Sequence, residues 1–348
     1  MPYSWSRLWK WSMPWRVFAI SVCWLIFISA FHYNLSVEHS ANRVVRLGYM
    51  PVISNLAAPL LDYTSQNQGK VRFEAVKFSS FAELGNALRN NQIDAAFMIA
   101  PLAIVLRQQG EDVKIVCIGN RHESTLVARA DLNVTQLRDL AGKTLAVPLR
   151  YSGHYLSIYQ LMEDQGLTSQ IKVVEMNPPD MAAALAAGSL DAYYVGEPFA
   201  AKTLKSGSSK RVFYVEEVWP GFFSNLTVVK QQLIQKEPGI VKLLVEGAAR
   251  SGVWAMHNHQ EAARIASKYW NQPVELVEYA MDTPKNRIRY DLFVPKQEEM
   301  QAIADLMVRF KLIAGNNIAG LVEDRFAKAA NLDGVTSTDR ILPPFTPP

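Results

Sequence analysis

Two stretches of this chain read as the same segment written twice. Ala87-Leu88 matches Ala184-Leu185, and Ile93-Asp94-Ala95 matches Leu190-Asp191-Ala192. Phe97, Pro101 and Ala103 match Tyr194, Pro198 and Ala200, and every pair is 97 positions apart. A constant offset with matched chemistry marks a repeated structural unit. Whatever layer the first copy builds, the second must build again, so a two-lobed molecule is expected.

The pattern between and around these copies shows what the unit is. Short runs rich in β-branched and aromatic residues alternate with stretches of helical spacing. Strands are predicted at Val44–Tyr49, Val71–Val76, Ile93–Met98, Val113–Ile118 and Thr125–Arg129. Helices are predicted at Leu56–Gln66, Phe81–Asn90 and Pro101–Gln109. The order then restarts, with strands at Thr144–Val147, Lys172–Glu175 and Leu190–Val195 and helices at Gly153–Gln165, Met181–Ala187 and Phe199–Lys205. Such alternation is α/β order with parallel strands. A further strand, Leu226–Val229, and helices at Ile240–Met256, Gln260–Tyr269 and Lys296–Lys311 follow. These return elements make the first lobe discontinuous. Expected boundaries are 1–41 for a leader and linker, 42–135 and 221–315 for the first lobe, 136–220 for the second, and 316–348 for an extension. The final Pro343-Pro344-Phe345-Thr346-Pro347-Pro348 is read as a tail.

Composition narrows the partners. With 348 residues, 49% hydrophobic and 20% charged, the chain can fill two domains. Of the net charge of +4, Arg7, Lys10 and Arg16 contribute three before the first acidic residue, Glu38. The body is therefore near neutral, which gives no reason to expect a nucleic-acid partner. Cys23 and Cys117 are the two cysteines, so the body has no pair for a disulfide. No zinc-like spacing of Cys and His occurs, and neither metal nor cofactor is expected.

The leader has basic residues, then an uncharged apolar run at Val17–Phe31, then acidic residues. That order is an export signal with its N-terminus inside. Trp5, Trp9, Trp11 and Trp15 form a belt that suits a retained membrane anchor. Cleavage after Ala30 is the alternative. Lipidation at Cys23 is a third, against which bulky Val22 and the continuing apolar sequence argue.

Ligands of open parallel sheets bind where strands end and helices begin, at helix N-termini that favour anions. The candidates at these junctions are Ser54 and Asn55, Ser79, Ala100 and Pro101, Ser152, Gly153 and His154, and Gly196 and Glu197. Most have an ordinary alternative. The hydroxyl and amide residues can simply cap helices, and prolines belong at helix starts. His154 is the sharpest, because it lies in a first helical turn beside a Ser-Gly pair. Even so, a helix-end histidine can merely bond a neighbour. Glu197, between Gly and Pro, suits a cation, a ligand amine or its own hinge. No nucleophile elbow, phosphate loop or dinucleotide glycine motif is present, so no enzyme activity is expected.

Several blocks carry a family likeness: Leu47-Gly48-Tyr49; Ile93-Asp94-Ala95-Ala96 through Pro101; Leu140-Ala141-Gly142-Lys143-Thr144-Leu145-Ala146-Val147-Pro148; Met176-Asn177-Pro178-Pro179-Asp180-Met181; and Leu190-Asp191-Ala192 through Val195-Gly196-Glu197-Pro198. On these, residues 44–313 resemble the nitrate/sulfonate/bicarbonate (and taurine) periplasmic binding proteins of ABC importers. The resemblance implies a type II-like two-lobed periplasmic-binding-protein fold, α/β, with parallel-dominated sheets flanked by helices and a ligand cleft between the lobes. It implies a monomer that captures a small anion or sulfonate-like compound and delivers it to a permease and its ATPase. Within that resemblance His154 matches an oxyanion-contacting histidine, Gly196 a site glycine, and Glu123 or Ser124 a polar position after the fourth strand. A carboxylate at Glu123 would repel an anion. The lysine of nitrate binders is not evident in Trp219-Pro220-Gly221-Phe222-Phe223-Ser224, which argues against nitrate, and the aromatic content favours an organic ligand. Two alternatives differ in class: a membrane-anchored sensor subunit, and a pyrimidine-precursor enzyme of the same architecture, whose Cys-rich motif this chain lacks.

Overall fold

The structure is a computed structural model that describes residues 12–40, 43–66 and 70–345. It divides into two units, Met1–Arg43 and Val44–Pro348. In the first, α1 (Met13–Ser40) is one helix. Its stretch Met13–Phe31 is long and apolar enough to cross a membrane, since 19 residues at about 1.5 Å each span about 28 Å. Trp15, Phe18, Ile20, Trp24 and Phe27 are exposed along it. Trp5, Trp9 and Trp11 of the expected belt lie outside the described residues.

The second unit holds two five-stranded sheets. The first contains β1 (Arg43–Tyr49), β2 (Val71–Lys77), β3 (Ala95–Ile99), β4 (Val113–Ile118) and, far along the chain, β10 (Asn225–Lys230), in the order β2-β1-β3-β10-β4. The second contains β5 (Ser124–Arg129), β6 (Thr144–Val147), β7 (Lys172–Glu175), β8 (Ala192–Gly196) and β9 (Ser209–Tyr214), in the order β7-β6-β8-β5-β9. Helices α2 (Ala57–Ser65), α3 (Phe81–Arg89) and α4 (Ala100–Gln108) join the early strands. Helices α5 (Gly153–Asp164), α6 (Pro178–Ala186), α7 (Phe199–Lys205) and α8 (Val215–Val218) serve the second sheet. The return runs through α9 (Gln231–Lys236), α10 (Pro238–His257), α11 (His259–Trp270), α12 (Val274–Asp282), α13 (Gln297–Arg309) and α14 (Arg325–Lys328).

Side chains alternate across a strand, and the cores follow that rule. In β3, Ala95 and Phe97 point into one cluster with residues of α2, α10 and α11, while Ala96 and Met98 point into another with α3, α4 and α13. In β8, Ala192 and Tyr194 face the α5 side, and Tyr193 and Val195 face α6 and α7. Both faces of each sheet are covered, which is why these strands read as unbroken apolar runs.

The duplication is visible in the hydrogen bonding. Asp94 accepts the Arg46 N–H at 2.8 Å and returns its own N–H to Arg46 O at 2.9 Å. Asp191 accepts the Thr144 N–H at 2.9 Å and returns its N–H to Thr144 O at 3.1 Å. In the same way β10 pairs antiparallel with β3 and β4, and β5 pairs antiparallel with β8 and β9. The register also matches: Asn225 faces Ile99 and Ser124 faces Gly196, and both crossing strands carry an irregularity after their third residue.

The sheets are parallel-dominated as expected, with one crossing strand in each running against its neighbours. Two expectations change. Ser124–Arg129 belongs to the second sheet, so the crossing falls in 119–123 and not at 135. Residues beyond 315 are not a mere extension: Ile318, Leu321, Ile341 and Leu342 are buried in the first lobe, and Val322 bridges Ile115. Strand β9 and helices α8, α9 and α12 were not expected.

Candidate ligand-binding site

Between the sheets the crossing segment 119–123 and the return segment 219–224 run past the ends of the β-strands. Glu123 sits where they meet, 1% exposed. Ser54, after β1, donates its hydroxyl to Glu123 Oε1 at 3.2 Å. The Glu197 N–H, after β8, donates to Glu123 Oε2 at 2.8 Å. Ile53 N–H in turn donates to Glu197 O at 2.8 Å, which joins the turn after β1 in one lobe to the end of β8 in the other. Gly196 makes this packing possible: a Cβ there would lie 2.6 and 2.7 Å from the Glu123 carboxylate oxygens.

His154 enters from the first turn of α5. Ser152 caps that helix by accepting the Tyr155 N–H at 3.1 Å. An α-helix leaves its first N–H groups without helical partners, and those of Gly153 and His154 are in that position here. Gly153 lets the helix start lie on Phe222, whose ring a Cβ would meet at 2.7 Å. The imidazole is wedged between Tyr194 (4.9 Å between centroids) and Phe222 (5.6 Å). Its Nε2 is 2.9 Å from Ser124 Oγ, and its Nδ1 has no partner.

Burial decides the charges here. It lowers the His154 pKa to about 3, leaving a neutral ring. It raises Glu123 to about 8, with the charge of nearby Glu197 adding to the effect. Glu197 is also raised by burial, against which Arg287 pulls it down. Arg287 is 7% exposed. It lies 3.8 Å from Glu197 Oε1 and 3.0 Å from Glu216 Oε1, and donates to Thr125 Oγ1 at 3.2 Å and to Ser124 O. Its guanidinium also stacks 4.1 Å from the Tyr214 ring centroid. Arg121 binds Glu299 at 2.9 Å and donates to Leu292 O at 3.1 Å and to Gly221 O, tying the crossing segment to the return.

The expected residues divide accordingly. Ser54, Ser124, Ser152, Gly153, His154, Gly196 and Glu197 converge on this cluster. Asn55 lies beside it but is engaged, bonding Met50 O at 3.0 Å and Asn225 at 2.8 Å. The Ala100 N–H is taken by Ser224 O at 3.2 Å, and Pro101 has none to offer, so this pair contributes shape. Ser79 is not brought in: it is exposed and donates to Glu83 Oε2 at 2.9 Å, next to the true cap, Ser80. Sequence reading missed Arg287, Asn120 and Tyr290. Arg287 lies in a loop without periodicity, and no local signal would have found it. A concavity of about 560 Å³ is lined by Arg250, Arg340, Pro343 and Phe345 and by none of these residues. It has walls but no convergent chemistry, so the buried polar cluster defines the site.

A family model described as NMT1-like family matches residues 39–269. The chain belongs to this family. Among its NMT1-like and other relatives, the taurine-binding periplasmic protein of Escherichia coli (strain K12) is 26% identical, over 49% of this chain and 54% of its own. A Bacillus subtilis (strain 168) protein assigned to aliphatic sulfonates is 25% identical, over 84% of this chain and 90% of its own. The chain therefore spans about half the length of the first and nine-tenths of the second. The crystal structure of the periplasmic nitrate-binding protein NrtA from Synechocystis PCC 6803 superimposes with a TM-score of 0.73 at 14% identity, covering 82% of this chain and 88% of NrtA. That likeness establishes the two-lobed binding-protein fold, as the motifs had suggested.

Proposed function

We propose that this chain is the extracytoplasmic solute-binding component of an ABC importer, taking up a small anion or sulfonate-like compound without chemical conversion. The observation that carries this reading is the buried polar cluster in which Ser54 of one lobe meets Glu123, Glu197 and Gly196, with the His154 Nδ1 beside it left unpartnered. A buried polar atom without a partner costs about 1–3 kcal/mol, and a bound ligand removes that cost. Two lobes joined by crossing segments can close on a solute by hinge motion. Sequence relatives that bind taurine or aliphatic sulfonates support the compound class. We further propose that α1 is retained as a membrane tether, supported by its exposed apolar length.

Thermal-shift screening of the detergent-solubilised full chain tests the reading, with nitrate, bicarbonate, sulfate, taurine, alkanesulfonates and phosphonates as probes. A ligand at about 100 times its dissociation constant adds about 2.7 kcal/mol to stability. We expect a stabilising compound whose effect His154→Ala reduces by at least about 1 kcal/mol. A folded chain that responds to none of these probes would sink the proposal.

A further inference from the structure

Glu123 is a carboxylate in a cleft whose family resemblance calls for an anion. Among the described residues it forms no ion pair. The nearest guanidinium, Arg287, is committed to Glu216 at 3.0 Å and to Glu197 at 3.8 Å. The groups that do touch Glu123 are hydrogen-bond donors: the Ser54 hydroxyl, the Glu197 N–H and, at 3.5 Å, the Ser124 hydroxyl. They orient an acceptor without neutralising it. An isolated buried carboxylate costs several kcal/mol, and such unbalanced groups collect at functional sites.

A second observation lies beside it. The Asn120 side chain is fully buried, and both its amide atoms lack a hydrogen bond. The Tyr290 hydroxyl lies against that amide and within the field of Glu123, yet it too lacks a bond of full geometry. His154 adds to this. When Glu123 is ionised, the single Ser124 hydroxyl proton turns to the carboxylate, and His154 then donates its Nε2 proton to Ser124 Oγ. The unpartnered Nδ1 is left as an acceptor. A bare oxyanion offers nothing to a carboxylate or to a lone pair, whereas a ligand N–H offers each a donor.

We propose that the ligand of this cleft carries a protonated nitrogen received by the Glu123 carboxylate, with the Asn120 amide and the Tyr290 hydroxyl completing its hydrogen bonds. The groups facing Glu123 are Glu197, Arg287, Tyr194, Tyr290 and, through Ser124, His154. None of them places an uncommitted cation there. Because burial raises Glu123 to about 8, the free site holds its proton near neutral pH, and an arriving cation must expel it to the buffer. An anion held by a protonated Glu123 would instead bind with no proton released.

This inference rests on the solute-binding reading, and the experiment separates the two. Isothermal titration of the full chain in detergent micelles, near pH 7 in two buffers of different ionisation heat, would compare 2-aminoethanesulfonate, ethanesulfonate, nitrate and benzamidinium. The expected result is binding of 2-aminoethanesulfonate or benzamidinium at least about tenfold tighter than that of ethanesulfonate or nitrate, with a proton released. Glu123→Gln should remove that preference, and Asn120→Ala should weaken the nitrogen compound several-fold. Ethanesulfonate or nitrate binding as tightly, proton uptake, or a preference unchanged in both variants would overturn the inference. Benzamidinium binding alone would uphold it and overturn the oxyanion reading. Ethanesulfonate or nitrate binding alone would do the reverse, and a folded chain silent to every probe would overturn both.

Discussion

His154 and Glu123 both sit buried in their neutral forms, and this couples stability to pH in opposite senses. His154 titrates near 3 when folded against 6.5 for its ordinary value. Below 6.5 the unfolded chain takes the extra proton, so stability falls as pH falls toward 3. Glu123 titrates near 8 when folded against 4.5. Between 4.5 and 8 the folded chain holds the extra proton, so stability falls as pH rises through that window. The two slopes oppose each other from 4.5 to 6.5. Of these two, His154 acts below that range and Glu123 above it, each at up to about 1.4 kcal/mol per pH unit. Glu197, raised by the same burial, acts in the Glu123 sense. Urea unfolding of the ligand-free chain should therefore show a plateau with two falling limbs. Glu123→Gln should flatten the alkaline limb, and an alkaline limb unchanged in that variant would count against this assignment.

Among the elements, the duplicated strand–loop units make a sharper test than any single helix. Asp94 and Asp191 play the same part, each clamping the N–H of the neighbouring parallel strand. Replacing either by Ala should cost about 1–3 kcal/mol. Because the two lie in different sheets, the double variant should show the sum within about 0.5 kcal/mol, as read from urea midpoints. A cost confined to one lobe would mean that the match is one of sequence only. The elements that escaped prediction have local reasons. Strand β9 lies at the edge of its sheet and opens with Ser209-Lys210-Arg211, the polar dress of edge strands. Helices α8 and α9 are shorter than two turns. Helix α12 had a readable signal, Pro273 followed by Leu276, Val277, Ala280 and Met281 on one face.

On the scale of the whole molecule, the C-terminal segment closes the first lobe. Arg250 on α10 donates to the carbonyls of Asn331 at 2.7 Å, Asp333 at 3.2 Å and Ile341 at 3.1 Å, and also to Arg340 O. Ile318, Leu321, Ile341 and Leu342 bury side chains worth roughly 1.5–3 kcal/mol each. Together they rival the net stability of a whole domain, about 5–15 kcal/mol. A chain ended at residue 315 should therefore be insoluble or lose its near-ultraviolet dichroism, whereas one ended at 345 should keep both. A soluble, cooperatively folded 1–315 chain would refute this role for the segment.

Periodicity alone determined the α/β alternation, because burial on both faces of a strand and on one face of a helix leaves its mark within a few residues. The constant spacing revealed the two lobes for the same reason, and the uncharged apolar run marked the N-terminal helix. The places of His154 at a helix start and Gly196 at a strand end were legible because these are local events. Tertiary structure alone decided which sheet receives β5, since a crossing strand carries the same apolar pattern in either lobe. It alone brought Arg287 to Thr125, 162 positions away, and set Tyr290 against the Asn120 side chain. Contacts of that range leave no pattern along a chain. They depend on how two copies of one unit face each other.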